Sequence, residues 1–239
     1  MYHKRSIEMK NYLIIGGSSG IGKEIVNKLA SDNTEIWSTY NNTVTESRDR
    51  INYQKLDVLN DELDINMLPD EIHGLAYCPG SVNLKPFHRF KEEDFLEDYK
   101  LQVLGATKII KQLLPKLKNS KEASIVLFST IAVQNGFNFH TQVSMSKGAI
   151  EGLTRALSAE LAPSIRVNAI APSLTDTPLV SRILSTPEKV SLYAEKNPLK
   201  KVGTSSAIAD AATFLLTDRS AWITGQVMHV DGGASTIKT

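Results

Sequence analysis

An apolar run, Leu13-Ile14-Ile15, passes directly into Gly16-Gly17-Ser18-Ser19-Gly20-Ile21-Gly22 and then into a helix-like pattern of Ile21, Ile25, Val26 and Leu29. Strand, glycine-rich turn and helix, in that order, make a phosphate loop. Glycines at 16, 20 and 22 let the backbone turn tightly and approach a diphosphate with no Cβ in the way, while the helix start offers free N–H donors. A nucleotide diphosphate is the expected guest; the alternative is a plain glycine turn joining a strand to a helix. The other chemistry-bearing residue types are scattered. His73, His88 and His229 fall in different segments without metal-ligand spacing, and there is no Cys/His cluster, so no metal site is expected. The run Glu92, Glu93, Asp94, Glu97 and Asp98 reads as the solvated start of a helix, where negative charge suits the dipole.

Strand-like runs fall at 11–16, 35–40, 52–58, 74–78, 124–129, 166–170 and 226–230, with helical or looped segments between them. That alternation predicts an α/β fold, a single doubly wound Rossmann domain over 9–239 with a mostly parallel seven-stranded sheet. Val103, Ala106, Ile110, Leu113 and Leu117 form one core-facing helical stripe, and Ile150, Leu153, Leu157 and Leu161 another. Asn41 to Ile51 leaves room for a turn or two of helix at most. The stretch from Leu174 to Lys200 carries Pro178, Pro187 and Pro198 and follows a strand end that should face the ligand, so it is expected to be a mobile lid.

With 239 residues the chain can bury one substantial core. Its 27 Lys and Arg balance 26 Asp and Glu, and no basic run with interleaved aromatics occurs, so nucleic acid is not an expected partner. The single cysteine, Cys78, excludes an intrachain disulfide. No run is apolar and long enough for a membrane span or a signal, and a cytoplasmic protein is the default expectation. Residues 1–8, ahead of Met9, read as a loose extension without a function.

Several spaced motifs together resemble the short-chain dehydrogenases/reductases: the Gly16–Gly22 loop, Asp57-Val58, Pro79-Gly80, Ser146-Lys147, Arg166-Val167-Asn168-Ala169-Ile170-Ala171-Pro172, Thr224-Gly225-Gln226 and Asp231-Gly232-Gly233. The resemblance implies a nicotinamide dinucleotide lying across the C-terminal ends of the strands. Gly16, Ser18, Ser19, Gly20 and Ile21 would hold the diphosphate and adenosine ribose, with Asp57 and Val58 at the adenine. Cys78, Pro79 and Gly80 stand where the family has Asn, Ala and Gly beside that ribose, and Cys78 reads as a packing residue rather than a nucleophile. Pro172, Ser173, Leu174, Thr175 and Thr177 would cup the nicotinamide, although Thr177 can also be read as a hydroxyl capping its own loop. At the end of the second strand Tyr40, Asn41 and Asn42 offer no carboxylate to repel a 2′-phosphate, which favours NADP over NAD; Arg48 is the nearest cation.

The catalytic positions depart from the family pattern, and the chain resembles an atypical member. The family's tyrosine four residues before the lysine is Val143 here, its serine is Thr130, and its helix asparagine is Gln102; Lys147 is retained. Thr130 keeps a hydroxyl that can polarise a carbonyl. His140 lies seven residues before Lys147, on the same helix face if the helix already runs there, and the enoyl-acyl carrier protein reductases of this family place their tyrosine at that spacing. An imidazole, with an ordinary pKa of about 6.5, can serve as the acid; capping or packing at a helix start is the other reading. Tyr193 could supply a phenol from the lid.

Two functions follow. One is an NADP-dependent oxidoreductase reducing a small carbonyl or activated enone, with Lys147 on the nicotinamide ribose, Thr130 on the substrate oxygen and His140 delivering the proton. The other is an NADP-binding sensor or partner subunit without catalysis. The resemblance also implies a homodimer or homotetramer through the two long helices.

Overall fold

The computed structural model describes residues 9–120 and 122–238; the extension expected at 1–8 lies outside them. Its main sheet has seven strands in the order β3-β2-β1-β4-β5-β6-β9, and every pairing is parallel. The strands are β1 (Lys10–Ile15), β2 (Thr34–Tyr40), β3 (Ile51–Lys55), β4 (Gly74–Tyr77), β5 (Ala123–Phe128), β6 (Ile165–Pro172) and β9 (Val227–Val230). The helices are α1 (Gly20–Leu29), α2 (Glu92–Tyr99), α3 (Gly105–Asn119), α4 (Thr141–Leu161), α5 (Pro187–Glu195) and α6 (Ser205–Leu216).

Side chains alternate along a strand, so each central strand feeds two cores. From β1, Leu13 and Ile15 face Ile109, Leu113 and Leu117 of α3 and Ile150 and Leu161 of α4. Tyr12 and Ile14 face the other way, onto Ile25, Val26 and Leu29 of α1 and Ile208, Ala212 and Leu215 of α6. Both expected helical stripes are found in the first of these cores, where Leu153 and Leu157 are partly buried and the rest fully so. Each fully buried leucine or isoleucine contributes about 1.5–3 kcal/mol of transfer free energy.

The sequence Arg166-Val167-Asn168 turns out to be a structural tether. The Arg166 guanidinium donates to the carbonyls of Leu215 and Thr217 (both 3.1 Å) and to Ser220 Oγ (2.8 Å). Asn168 donates to Ile223 O (2.9 Å) and accepts from Gln226 N (3.0 Å). Together they fix the end of α6 and the start of β9 to β6.

One strand boundary shifts, and two expectations gain detail. β3 stops at Lys55, so Asp57 and Val58 lie in a turn. Residues 41–50 form no helix; Arg48 bridges to Ile51 instead, and the run of Asn and Thr at 41–43 competes with helix formation through its own side chains. The expected lid contains the helix α5 and is held at its base by a two-stranded parallel ribbon of β7 (Thr175–Asp176) and β8 (Gly203–Thr204).

Candidate active site

Strand order reverses between β1 and β4, which opens a crevice at their C-terminal ends. The turns after these two strands touch: a Cβ added to Gly16 would lie 3.4 Å from Pro79. Gly16 and Gly20 have φ of +78° and +52°, the left-handed region that glycine adopts without strain. Gly22 is pressed against the loop's own backbone, so that a Cβ there would lie 2.3 Å from Gly16 O. Gly16 N donates to Thr39 Oγ1 (2.9 Å) and Gly17 N to Thr39 O (3.0 Å), which pins the loop to β2.

Ser19 precedes α1 but makes no side-chain cap bond. The first-turn N–H groups of Gly20, Ile21 and Gly22 therefore have no partner inside the helix, and with the positive helix end they fit an anion such as a diphosphate. Thr177 and Pro178 approach Gly20 from the opposite side, 3.6 Å from a Cβ built there. Ser18, Ser19, Gly20 and Ile21 thus lie between the turn after β4 and the base of the expected lid.

At the outer end of the crevice Tyr40 is half-buried, and Asn41 and Asn42 are exposed. Arg48 is turned away from them, its Nη2 bonded to Asn27 Oδ1 on α1 (3.0 Å). The Asp57 carboxylate accepts from Asn60 Nδ2 (2.9 Å) and Leu59 N (3.0 Å), and these bonds hold it below the usual carboxylate range. Val58 is buried in the core, so its side chain belongs to packing.

At the inner end lies a cavity of about 520 Å³. Ile21, Cys78 and Gly80 form one wall, Pro172, Ser173, Leu174, Thr175 and Thr177 another, and Thr130, His140, Val143 and Lys147 a third. The three expected catalytic residues are therefore brought together, beside the residues expected to cup a nicotinamide.

α4 begins at Thr141, so His140 is its N-cap residue rather than part of the helix, with φ −97° and ψ 9°. Its carbonyl still accepts from Ser144 N (2.9 Å), which keeps it in line with Val143 and Lys147. Nδ1 lies 2.7 Å from Asn138 O. A carbonyl only accepts, so Nδ1 carries a proton and Nε2 is the atom left to exchange one. Thr130 Oγ1 accepts from Ala132 N (3.3 Å), leaving its hydroxyl proton to donate.

Burial pushes the Lys147 ammonium down to about 8, against the opposing pull of Asp98 and Cys78. Burial also pushes the Cys78 thiol up to about 12, which suits a packing residue and not a thiolate nucleophile.

The acidic run at 92–98 does not behave as one solvated face. Glu92, Glu93 and Glu97 are exposed, and Asp94 caps α2 by accepting from Lys91 N (2.8 Å) and Lys85 Nζ (2.6 Å). Asp98 is 4% exposed and accepts hydrogen bonds from the Ser81 hydroxyl and from Gln102 Nε2 (2.7 and 2.8 Å). Between α2 and α3 the helix widens into a π-turn over Lys100–Leu104, where Gly105 N reaches back to Lys100 O and Leu101 O is taken by the Tyr77 hydroxyl (2.6 Å). That widening sets Gln102, 1% exposed, against Gly80. The signal available in sequence was the four-residue spacing of Asp98 and Gln102, which puts both on one helix face.

From the expected lid, Tyr193 and Lys196 reach the cavity, with Lys196 Nζ 5.5 Å from the Tyr193 ring centre. Beyond α5, Asn197 Nδ2 donates to Asp231 O (2.8 Å), as does Ser173 Oγ (3.2 Å). A Cβ on Gly232 would collide with Asn197 Oδ1, so the Asp231-Gly232-Gly233 turn anchors the far end of the segment expected to be a lid.

Residues 16–235 match the family model described as Enoyl-(Acyl carrier protein) reductase. The chain belongs to the short-chain dehydrogenases/reductases. This short-chain dehydrogenase/reductase is 30% identical over 239 residues to the uncharacterized oxidoreductase YmfI of Bacillus subtilis, covering 94% of this chain and 98% of that one. A short-chain type dehydrogenase/reductase from Mycobacterium ulcerans superposes with a TM-score of 0.83 at 28% identity, over 95% and 90% of the two chains. A tyrosine-to-phenylalanine variant of ElxO with NADPH bound superposes with a TM-score of 0.86 at 25% identity, over 96% and 100%. The family binds NAD(P), and the crevice and cavity of this member offer the donors and the space for such a group. Among the described residues, no helix of this short-chain dehydrogenase/reductase is long and apolar enough to cross a membrane.

Proposed function

We propose that this short-chain dehydrogenase/reductase is an NADPH-dependent reductase of a small carbonyl or activated enone. The observation that carries the reading is the convergence of Thr130, His140 and Lys147 in one cavity with Pro172, Ser173, Leu174, Thr175 and Thr177. The relative with NADPH bound and the enoyl-reductase description of the matching family support it. The absence of a carboxylate at Tyr40, Asn41 and Asn42 favours the 2′-phosphate.

When bound, the dinucleotide supplies a hydride. Gly16, Ser18, Ser19, Gly20 and Ile21 hold its diphosphate, and the Cys78-Pro79-Gly80 turn closes on the adenosine side. The Lys147 ammonium donates to the nicotinamide ribose. Negative charge then develops on the substrate oxygen, where the Thr130 hydroxyl donates a hydrogen bond. Because His140 Nδ1 is committed to Asn138 O, the imidazolium passes its proton from Nε2 and returns neutral. Leu179, Ile183 and Tyr193 of the 174–200 lid keep water from the reacting atoms.

The test is turnover of NADPH with a panel of ketones, 3-oxoacyl thioesters and enoyl thioesters, for the wild type and His140→Ala. Reduction by the wild type, and loss of turnover in His140→Ala with intact NADPH binding, support the reading. Full turnover in His140→Ala overturns the role of His140. Val143, an apolar side chain where the family has a phenol, favours a second reading, a dinucleotide-binding subunit without catalysis; saturable NADPH binding with no turnover across the panel would establish it in place of the first.

A further inference from the structure

Asp98 is a carboxylate taken out of water, 4% exposed, behind Ser81 and Gln102, which line the cavity. All of its hydrogen bonds come from donors: the Ser81 hydroxyl and Gln102 Nε2, the latter to both Oδ1 and Oδ2. The Gln102 amide nitrogen can only donate, and both carboxylate oxygens accept from it. It also dictates which way the Gln102 amide points, since the reversed amide would set Oε1 against two carboxylate oxygens. Gln102 Oε1 is thereby turned outward and left with no hydrogen-bond partner, although it is buried. A methyl group built on Gly80 would lie 3.4 Å from that Oε1 and 3.8 Å from Lys147 Nζ. The orphaned oxygen and the ammonium thus flank one point next to Gly80, and a carbonyl oxygen there needs a donor such as Lys147 or a water bound to it.

A buried ammonium without a counter-charge is costly. One turn along α4 from Lys147, the Glu151 carboxylate is already taken by Ser129 Oγ (2.8 Å) and Arg155 Nη2 (3.2 Å), and no other anion among the described residues stands uncommitted beside Lys147. Cys78, after β4, is a protonated thiol. Residues 129 and 130, after β5, are Ser and Thr. His140 at the start of α4 and Lys196 beyond α5 carry positive charge or none, and residues 172–175 after β6 are Pro, Ser, Leu and Thr.

We propose that Asp98 is a positioning residue of this site: the buried counter-charge of the Lys147 ammonium, acting across the Gln102 amide that it holds in place. The inference rests on reading the cavity as a dinucleotide site, and it adds a fixed counter-charge that the residues touching the cofactor do not themselves contain. The π-turn is the device that delivers it, because it sets Gln102 beside Gly80.

The experiment measures NADPH binding by nicotinamide fluorescence from pH 6.5 to 10 for the wild type and Asp98→Asn, together with melting temperatures of Asp98→Asn, Lys147→Met and the double variant without cofactor. Asp98→Asn is expected to bind NADPH at pH 6.5, and to lose binding on the alkaline side about one pH unit earlier than the wild type. The melting temperatures are expected to be non-additive, with Lys147→Met less favourable by about 2 °C or more in the wild-type background than in Asp98→Asn. A purely structural Asp98 gives coincident alkaline limbs and additive melting shifts, and either result overturns the proposal. If Asp98→Asn does not fold, Asp98→Ser takes its place in both measurements, with an earlier alkaline limb and non-additive melting shifts supporting the proposal and coincident limbs or additive shifts overturning it. Absence of NADPH binding by the wild type at every pH would sink the cofactor reading instead, while the melting cycle still reports on the pair.

Discussion

His140 and Lys147 stand at the N-cap and in the second turn of the same helix, α4, and both line the same cavity, with the buried Val143 between them. One helix face therefore presents, in order, a proton carrier, an inert apolar side chain and an ammonium. The middle position has nothing to donate, and on the proposed reading the proton comes from His140 at the end of the face. His140→Gln keeps a hydrogen-bonding side chain but removes the titrating ring. Turnover should fall by about 10²- to 10⁴-fold with NADPH affinity changed by less than threefold. Steady-state kinetics beside fluorescence titration checks this.

Lys147 is pushed down to about 8 by burial, so its charge is at stake within an accessible pH range. The ammonium is the form that donates to a ribose with charge assistance, and it is present below pH 8 and lost above it. NADPH affinity should accordingly weaken as pH rises through about 8. Lys147→Met should bind about tenfold or more weakly at pH 7 and show no such alkaline step, as read by isothermal calorimetry.

Gly22 has no room for a methyl group, because its Cβ would lie 2.3 Å from Gly16 O. Gly22→Ala must displace the loop that holds the diphosphate. A destabilisation of about 1–3 kcal/mol, or about 2–4 °C of melting temperature per kcal/mol, should accompany at least a tenfold loss of NADPH affinity. A variant that melted and bound like the wild type would show that the loop is looser than its packing implies.

Asn41 is exposed beyond the end of β2, and Arg48, the nearest cation in sequence, is committed to Asn27. On the proposed NADPH reading, discrimination at this end rests on the absence of negative charge. Asn41→Asp should weaken NADPH by about tenfold or more through repulsion of the 2′-phosphate while leaving NADH binding equal or better. Paired titrations with the two cofactors read the ratio directly.

What the sequence determined by itself was whatever is encoded over a few neighbouring residues. Alternating apolar runs specified all seven strands of the sheet, three-four spacing specified the buried stripes of α3 and α4, and Gly16 and Gly20 announced a loop that needs left-handed backbone. These follow from side-chain period and from φ restrictions, which act within one element. Resemblance then placed Lys147, Thr130 and His140, and the fold put them in one cavity.

Only the tertiary structure decided what depended on neighbours distant along the chain. Asp98 looked like the last member of a solvated acidic run until Ser81 and Gln102 closed over it. Arg48 was only the nearest cation to the end of β2, its reach unreadable from the chain, until α1 offered it Asn27. The loop after β1 and the turn after β4 were two separate motifs until Gly16 met Pro79 at the point where the strand order reverses. Burial, pairing and the direction of a long side chain are set by what packs against it through space, and no periodicity in the chain carries that information.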